Sequence, residues 1–393
     1  MRKKLYIFIF IFSILDSVSF AQPDLISGLK IWLKSDYGVI YDLNNKISQW
    51  HDASGNGYVF NQSNPDKQPL YIPLIDSMNN KPAIEFQDDE LQCWQEMSIG
   101  TIFALANYSH DVFQTYAGLF TRAAYDDTQL SLIFSATAGT TFFYYAPLLG
   151  SNFYVNNVQT YNFAPLPRPK ICYGYMVSGT PYTWPDAMIG RDRYEPNRFW
   201  HGNVYEVIIY DRVLDSTEIE QVKTYLMDKY APPVKLSDDD NQNGCSLIID
   251  TCPNTLKPSG YYTSYQWSNG STSDSIIIDS NGKYSVTATD IFGRISSDSI
   301  FYFCHEPVYL PTDTFFCYGD SINLTTNLTD TLLMYNWSTG DTTSNVTIHS
   351  PGEYALTITD LSGCSKIFNI SVDEDSFAIN SSLGPDTSLC KYD

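Results

Sequence analysis

The sequence predicts an all-β protein: one large antiparallel β-sandwich closed by a single amphipathic helix, then tandem copies of a smaller β-sandwich. Three observations carry this reading. Short strand-like runs recur from Leu29 to Val155 with no helical period between them. One helical period stands out, after Asp215, and Pro232 and Pro233 end it. Past Val234 the chain repeats itself with a constant shift of 70 residues.

In chain order, Arg2, Lys3 and Lys4 precede the apolar run Leu5 to Ile14, and Ser19-Phe20-Ala21 has the small residues a signal peptidase reads. Residues 1–21 are therefore expected to be a removed export signal, with mature protein starting at Gln22. Leu29 to Leu33 alternates and opens the first sheet, and Ser54-Gly55-Asn56-Gly57 is a turn. Pro65, Pro69 and Pro73 predict an extended connection with no regular ladder. Strand-like runs follow at Ala83 to Phe86, Thr101 to Ala106, Ala117 to Thr121, Leu130 to Phe134, Thr141 to Tyr145 and Phe153 to Val155.

Val204 to Tyr210 is apolar on both alternating sets, Val204, Ile208 and Tyr210 on one face and Tyr205, Val207 and Ile209 on the other. Such a strand is covered on both sides. Asp215 then caps a helix and Glu218, three residues on, reaches back, while Ile219, Val222 and Leu226 lie at helical spacing on one face.

This closing stretch, with Trp50-His51-Asp52-Ala53-Ser54-Gly55-Asn56-Gly57 and Lys81-Pro82-Ala83-Ile84-Glu85-Phe86, resembles the laminin-G-like, concanavalin-A-like jelly-roll domain of secreted bacterial surface proteins. The resemblance covers residues 22–232 and implies a jelly roll that presents a glycan- or protein-binding surface.

In the repeats, Tyr265-Gln266-Trp267-Ser268-Asn269-Gly270 returns as Tyr335-Asn336-Trp337-Ser338-Thr339-Gly340, and Thr287-Ala288-Thr289-Asp290 as Thr357-Ile358-Thr359-Asp360. Alternating strands between turns give immunoglobulin-like patterning, and the copies resemble PKD-like and Ig-like repeats of bacterial surface proteins. The expected repeats span 233–306 and 307–376, and 377–393 begins a truncated third copy in which Leu383 to Cys390 echoes Leu310 to Cys317.

Without the export signal, 20 basic residues face 43 acidic ones, a net charge of −23. That sign repels phosphate backbones, and no basic stripe breaks it, so nucleic acid is excluded as a partner. No later stretch is long and apolar enough to span a bilayer as a helix. The eight cysteines of an exported chain can be oxidised. Cys317 and Cys364, near the two ends of the second repeat, are expected to form an inter-sheet bridge. In the first repeat Arg294 stands in place of the second cysteine, so Cys304 is left to pair with either Cys245 or Cys252, and whether Cys93 and Cys172 pair stays open.

Candidate chemistry is sparse. Asp239, Asn241, Asn243 and Gly244, with Asp250 at the twelfth position, match a calcium loop, although two early ligands are amides and prolines precede it. The same residues also read as a solvated linker. The resemblance includes glucanases that work with carboxylates on one strand face, which directs attention to Glu85, Asp88, Asp89 and Glu90. Glu85 and Asp88 are an odd number of residues apart, and Asp88 to Glu90 reads as a turn.

Glu206, a lone charge on a buried strand, reads either as a perturbed catalytic carboxylate or, as is commoner, as one paired with a structural arginine, Arg191 or Arg212. His51, His110, His201, His305 and His349 form no metal-spaced pair, and no serine sits in a nucleophile elbow. Tyr182, Trp184 and Trp200 lie in loop-like stretches where rings could stack on a sugar, against the commoner fate of core packing. The reading is therefore a secreted or cell-surface, non-catalytic adhesion protein without a cofactor, its partner an extracellular glycan or protein. A polysaccharide-degrading enzyme and a purely structural stalk are the alternatives.

Overall fold

The structure, a computed structural model, describes residues 22–110, 113, 116–123, 132–138, 140–142, 152–176, 179–192, 196–236, 245–304, 308, 310–328, 332–361 and 363–375. The expected export signal, the start of the third repeat, and Asp239, Asn241, Asn243 and Gly244 of the calcium loop lie outside the described residues. The chain divides into two compact units, one ending at Pro232 and one beginning at Pro233. Both are built of strands, with one α-helix, Ser216–Tyr230, among the described residues. No helix among them is long and apolar enough to cross a membrane.

The first unit holds two eight-stranded antiparallel sheets. One runs in the order Val158–Gln159, Phe153–Val155, Lys170–Tyr175, Thr101–Ala106, Gly202–Tyr210, Lys81–Phe86 and Leu70–Ile75, with Leu29–Lys34 also paired to Gly202–Tyr210. The other runs Thr141–Phe142, Leu132–Ala138, Gly118–Thr121, Ala187–Ile189, Leu91–Cys93, Val59–Asn61, Ile47–His51 and Val39–Tyr41. Ile31, Ile84, Ile102 and Val207 of the first meet Trp50, Phe60, Leu91 and Phe120 of the second in one core, all of them buried.

Pro73 sits inside the strand Leu70–Ile75, where an extended connection was expected. The strand is the last of its sheet and its register shifts between Ile72 and Ile75, so a residue without an N–H disturbs no ladder on a second side.

The central strand Gly202–Tyr210 is covered on both sides, but its faces differ from simple alternation. Val204 pairs with Ala106 and Glu206 with Leu105, so Tyr205 is an extra residue, a β-bulge. Val204, Val207 and Ile209 therefore share the inter-sheet core. Tyr205 and Glu206 turn to the opposite face, where Tyr230 of the helix meets both.

The helix begins as the Asp-x-x-Glu spacing requires: Asp215 Oδ1 accepts from the Glu218 amide at 2.9 Å and Glu218 Oε2 from the Asp215 amide at 3.0 Å. Val222 and Leu226 are fully buried and Ile219 nearly so. Each such side chain contributes about 1.5–3 kcal/mol.

Glu206 is fixed by the helix, and neither expected arginine reaches it. Lys229 Nζ lies 2.9 Å from Glu206 Oε2, the Tyr230 hydroxyl donates to the same oxygen at 3.0 Å, and Trp32 Nε1 donates to Oε1. Arg191 pairs with Glu90 at 2.8 Å, and Arg212 with Glu218.

In the second unit the sequence repeat is a repeat of hydrogen bonds. Trp267 Nε1 donates to Ser273 O and Trp337 Nε1 to Thr343 O, both at 2.9 Å. The Tyr284 and Tyr354 hydroxyls donate to Ser280 O and Ser350 O. The turns after Thr289 and Thr359 close through Asp290 N to Arg294 O and Asp360 N to Cys364 O.

The copies are not separate beads. Cys245–Asp250 pairs in parallel with Ile295–Cys304 and meets Ser365 of the second copy through Ser246, so one eight-stranded sheet carries both. Leu247, Ile249 and Phe303 of the first copy lie in the second copy's core with Trp337, Val346 and Leu356. Ile248, Ile300 and Tyr302 face the first copy's core with Trp267.

Cys252 bonds Cys304, which answers the choice the sequence left open. The expected Cys317–Cys364 bridge does not fit: Cys317 stands opposite Asp375, eleven residues along from Cys364. At about 3.3 Å per residue that is roughly 36 Å, against about 4.4–6.8 Å between the α-carbons of a disulfide. Cys317 and Cys364 are each disulfide-bonded, whereas Cys93 and Cys172 are buried free thiols.

Two outcomes follow. Lys229→Met strands the Glu206 carboxylate without its cation and is expected to lower the stability of the first unit by about 3–5 kcal/mol. Glu206→Gln with Lys229→Met should recover part of that loss in denaturant unfolding. Leu247→Ala, although in the first copy, should cost about 2–5 kcal/mol in the second copy's core. Hydrogen exchange at the amides of Leu356 and Ile370, on the second copy's own strands, reads that loss.

Candidate functional site

The helix leaves part of the sheet it covers open, beside its first turns. Tyr154 of Phe153–Val155 stands directly across from Tyr173 of Lys170–Tyr175. Their rings are parallel within 2° at 4.7 Å, and Tyr173 stacks in turn on Phe103 at 5.4 Å. Tyr175, two residues on and on the same face, lies 6.3 Å from Tyr154. Such a cross-strand aromatic ladder is what directly opposed and diagonal neighbours form on a sheet face.

The opposite wall of this open cleft is Leu214, Ser216, Ile219 and Glu220, and its volume is about 290 Å³. The wall is held in place from below. Thr101 Oγ1 donates to Arg212 O at 2.9 Å and accepts from the Leu214 amide at 3.0 Å. Gly100 lets Arg212 pass so close that a Cβ there would stand 2.2 Å from its carbonyl carbon. The capping box and the Arg212–Glu218 pair then set the helix start, and the buried Lys223 ammonium holds Glu220 at the rim and lies over the Tyr173 ring.

Burial pushes the Tyr173 phenol up to about 12, with the charges of Tyr154 and Glu220 adding to it. Its hydrogen bond with Tyr154 raises the Tyr175 phenol, ahead of burial. Both phenols are un-ionised at neutral pH. The cleft thus offers aromatic surface, phenol and serine hydroxyls that donate and accept, and one carboxylate that accepts.

The residues singled out by sequence lie elsewhere. Trp184 is fully buried and stacks on Phe120 at 5.9 Å. Trp200 is fully buried among Tyr108, Phe113 and Phe163, its Nε1 donating to Asn107 O at 3.1 Å. Neither presents a ring to a ligand, because each fills the core between the sheets. Tyr182, half-buried on Tyr182–Trp184, packs against that same core.

Asp250 of the calcium pattern is engaged locally, accepting from the Thr251 amide and Asn254 Nδ2. Glu90 is buried on Arg191 and Lys67, Asp89 accepts from the Gln87 amide, and the exposed Asp88 meets His201 Nε2 at 3.1 Å. Burial raises the Asp89 carboxyl. Glu85 is half-buried on its strand, opposite Asn203 and Leu70. A second hollow, in the other unit, is lined by Phe301, Phe303, Leu332, Leu333 and Leu361 with Asn281 and Asp360. One Asp360 oxygen there is spent on the Cys364 amide, which leaves little to orient a polar ligand.

The tyrosine cleft was missed because its parts are distant in sequence. The signal available was Tyr173 and Tyr175 at strand spacing i, i+2 with a third tyrosine on a neighbouring strand.

Tyr173 supplies a pH outcome. Its phenol is held neutral in the folded state to about 12 against an ordinary 10.0, so the stability it contributes is full below pH 10 and is lost as pH rises toward 12. Melting temperature followed from pH 9 to 12 should fall less steeply in Tyr173→Phe than in the unmodified protein.

No protein-family model matches the chain, and no curated protein matches it. Among solved structures it is similar to murine CEACAM1b, at 16% identity over 33% of this chain and 96% of that one, with a TM-score of 0.14. It is also similar to Bacteroides ovatus mixed-linkage glucan utilization locus SGBP-B in complex with a mixed-linkage heptasaccharide, at 13% identity, 35% and 46% coverage and a TM-score of 0.14. The human desmocollin-1 ectodomain matches at 11% identity, 71% and 60% coverage and a TM-score of 0.15. At TM-scores of this size the likeness carries no argument, and the β-sandwich description rests on the strand pairing itself.

Proposed function

We propose that the protein is a secreted or cell-surface binding protein whose first unit, a jelly roll, holds a neutral glycan in the cleft of Tyr154, Tyr173, Tyr175, Ser216 and Glu220. Its Ig-like repeats carry that unit. The observation behind this is the convergence of three tyrosines with a carboxylate and a hydroxyl in one open hollow. Sugars are bound by the same combination, aromatic surface against C–H faces and a few placed polar groups against hydroxyls. The Glu220 carboxylate at the rim and the acidic chain as a whole favour a neutral sugar over an acidic one. The Cys252–Cys304 bond fits an oxidising compartment, in line with the export signal expected from residues 1–21.

A glycan array probed with the mature chain, followed by calorimetry on the best neutral oligosaccharide, tests this. Tyr154→Ala and Glu220→Ala should each weaken binding at least about tenfold, near 1.4 kcal/mol. Tyr41→Ala, at an exposed ring that does not line the cleft, should leave it unchanged. A blank array, or binding indifferent to both cleft substitutions, defeats the proposal.

A further inference from the structure

The register that joins the two repeats brings two cysteines together. Ser246 of Cys245–Asp250 lies opposite Ser365 in a parallel pairing. Residues one step before a parallel rung stand at the same height, so the α-carbons of Cys245 and Cys364 flank each other across the boundary between the copies. Adjacent strands are about 4.8 Å apart, inside the window of about 4.4–6.8 Å for a disulfide.

Cys364 is 1% exposed and already disulfide-bonded. Cys252 is taken by Cys304, Cys93 and Cys172 are free, and Cys317 is eleven residues up the strand. We propose that Cys245 and Cys364 form a disulfide that staples the second repeat to the first strand of the first.

Formation removes two protons and two electrons from the two thiols. A protein disulfide oxidant takes them by thiol–disulfide exchange: one thiolate attacks it to give a mixed disulfide, the second displaces its thiol, and the oxidant leaves as a dithiol. The bond crosses the shared sheet at the point where the first-copy strand meets the second copy. It therefore opposes sliding of one copy past the other and makes the pair one covalent module.

Unreduced, full-length secreted protein digested by a protease that cuts before aspartate separates the cysteines: residues 240–249 carry only Cys245 and residues 360–372 only Cys364. Mass spectrometry should find these two peptides linked and should separate them on reduction. Cys245→Ser should expose one additional alkylatable thiol per chain, located at Cys364. Recovery of 360–372 joined to the peptide bearing Cys390, or Cys364 still blocked in Cys245→Ser, overturns the proposal.

Discussion

A carboxylate buried between a sheet and a helix organises the first unit. Glu206 is 1% exposed and satisfied by an ammonium, a phenol and an indole N–H, two of them from the last turn of the helix. A charge in such a place tolerates no loss of partners, so helix and sheet are obliged to meet in one register. Its effect spreads to its neighbours: the Tyr225 and Tyr230 phenols are pushed up by burial first and by the Glu206 charge next. The bulge at Tyr205 makes the arrangement possible. Were the strand to alternate regularly through Tyr205, Glu206 would point into the apolar core between the sheets and Val207 toward the helix.

The cleft follows from that docking. With its C-terminal turn held by Glu206 and its N-terminus by the capping box and Arg212, the helix lies across the sheet at a fixed height. Its first turns become a wall facing the tyrosine ladder. The ladder itself is rigid, because Tyr173 is sandwiched between Phe103 and Tyr154. Rings held in this way lose little freedom when a ligand arrives, which is the condition for a site on a sheet face to bind with useful affinity.

The second unit applies a different economy to the same problem. A small sandwich buries a smaller share of its surface than a large one, so its core has less to spare. Here Leu247, Ile249 and Phe303 insert from one copy into the core of the next, while the intervening residues serve the first copy's own core. One parallel strand thus belongs to two hydrophobic clusters, and the copies exchange stability across it as stacked repeats do.

By itself the sequence determined what depends on local spacing. The strand pitch, the capped helix with Ile219, Val222 and Leu226 on one face, and the turn motif that recurs in each repeat all survive in the structure, because each is set by residues near one another in the chain. It also announced that Glu206 must have a cation. Only the tertiary structure decided which one, because a single bulge reverses the parity of the strand and hands the carboxylate to Lys229 rather than to an arginine.

The same holds for Trp184 and Trp200, whose loop-like surroundings conceal fully buried rings, and for Pro73, whose place in a strand depends on its being at an edge. The tyrosine cleft and the cysteine partners were invisible for the reason that both are products of register. Tyr154 meets Tyr173 and Cys317 meets Asp375 only once strands far apart in sequence have paired, and no local period records that choice.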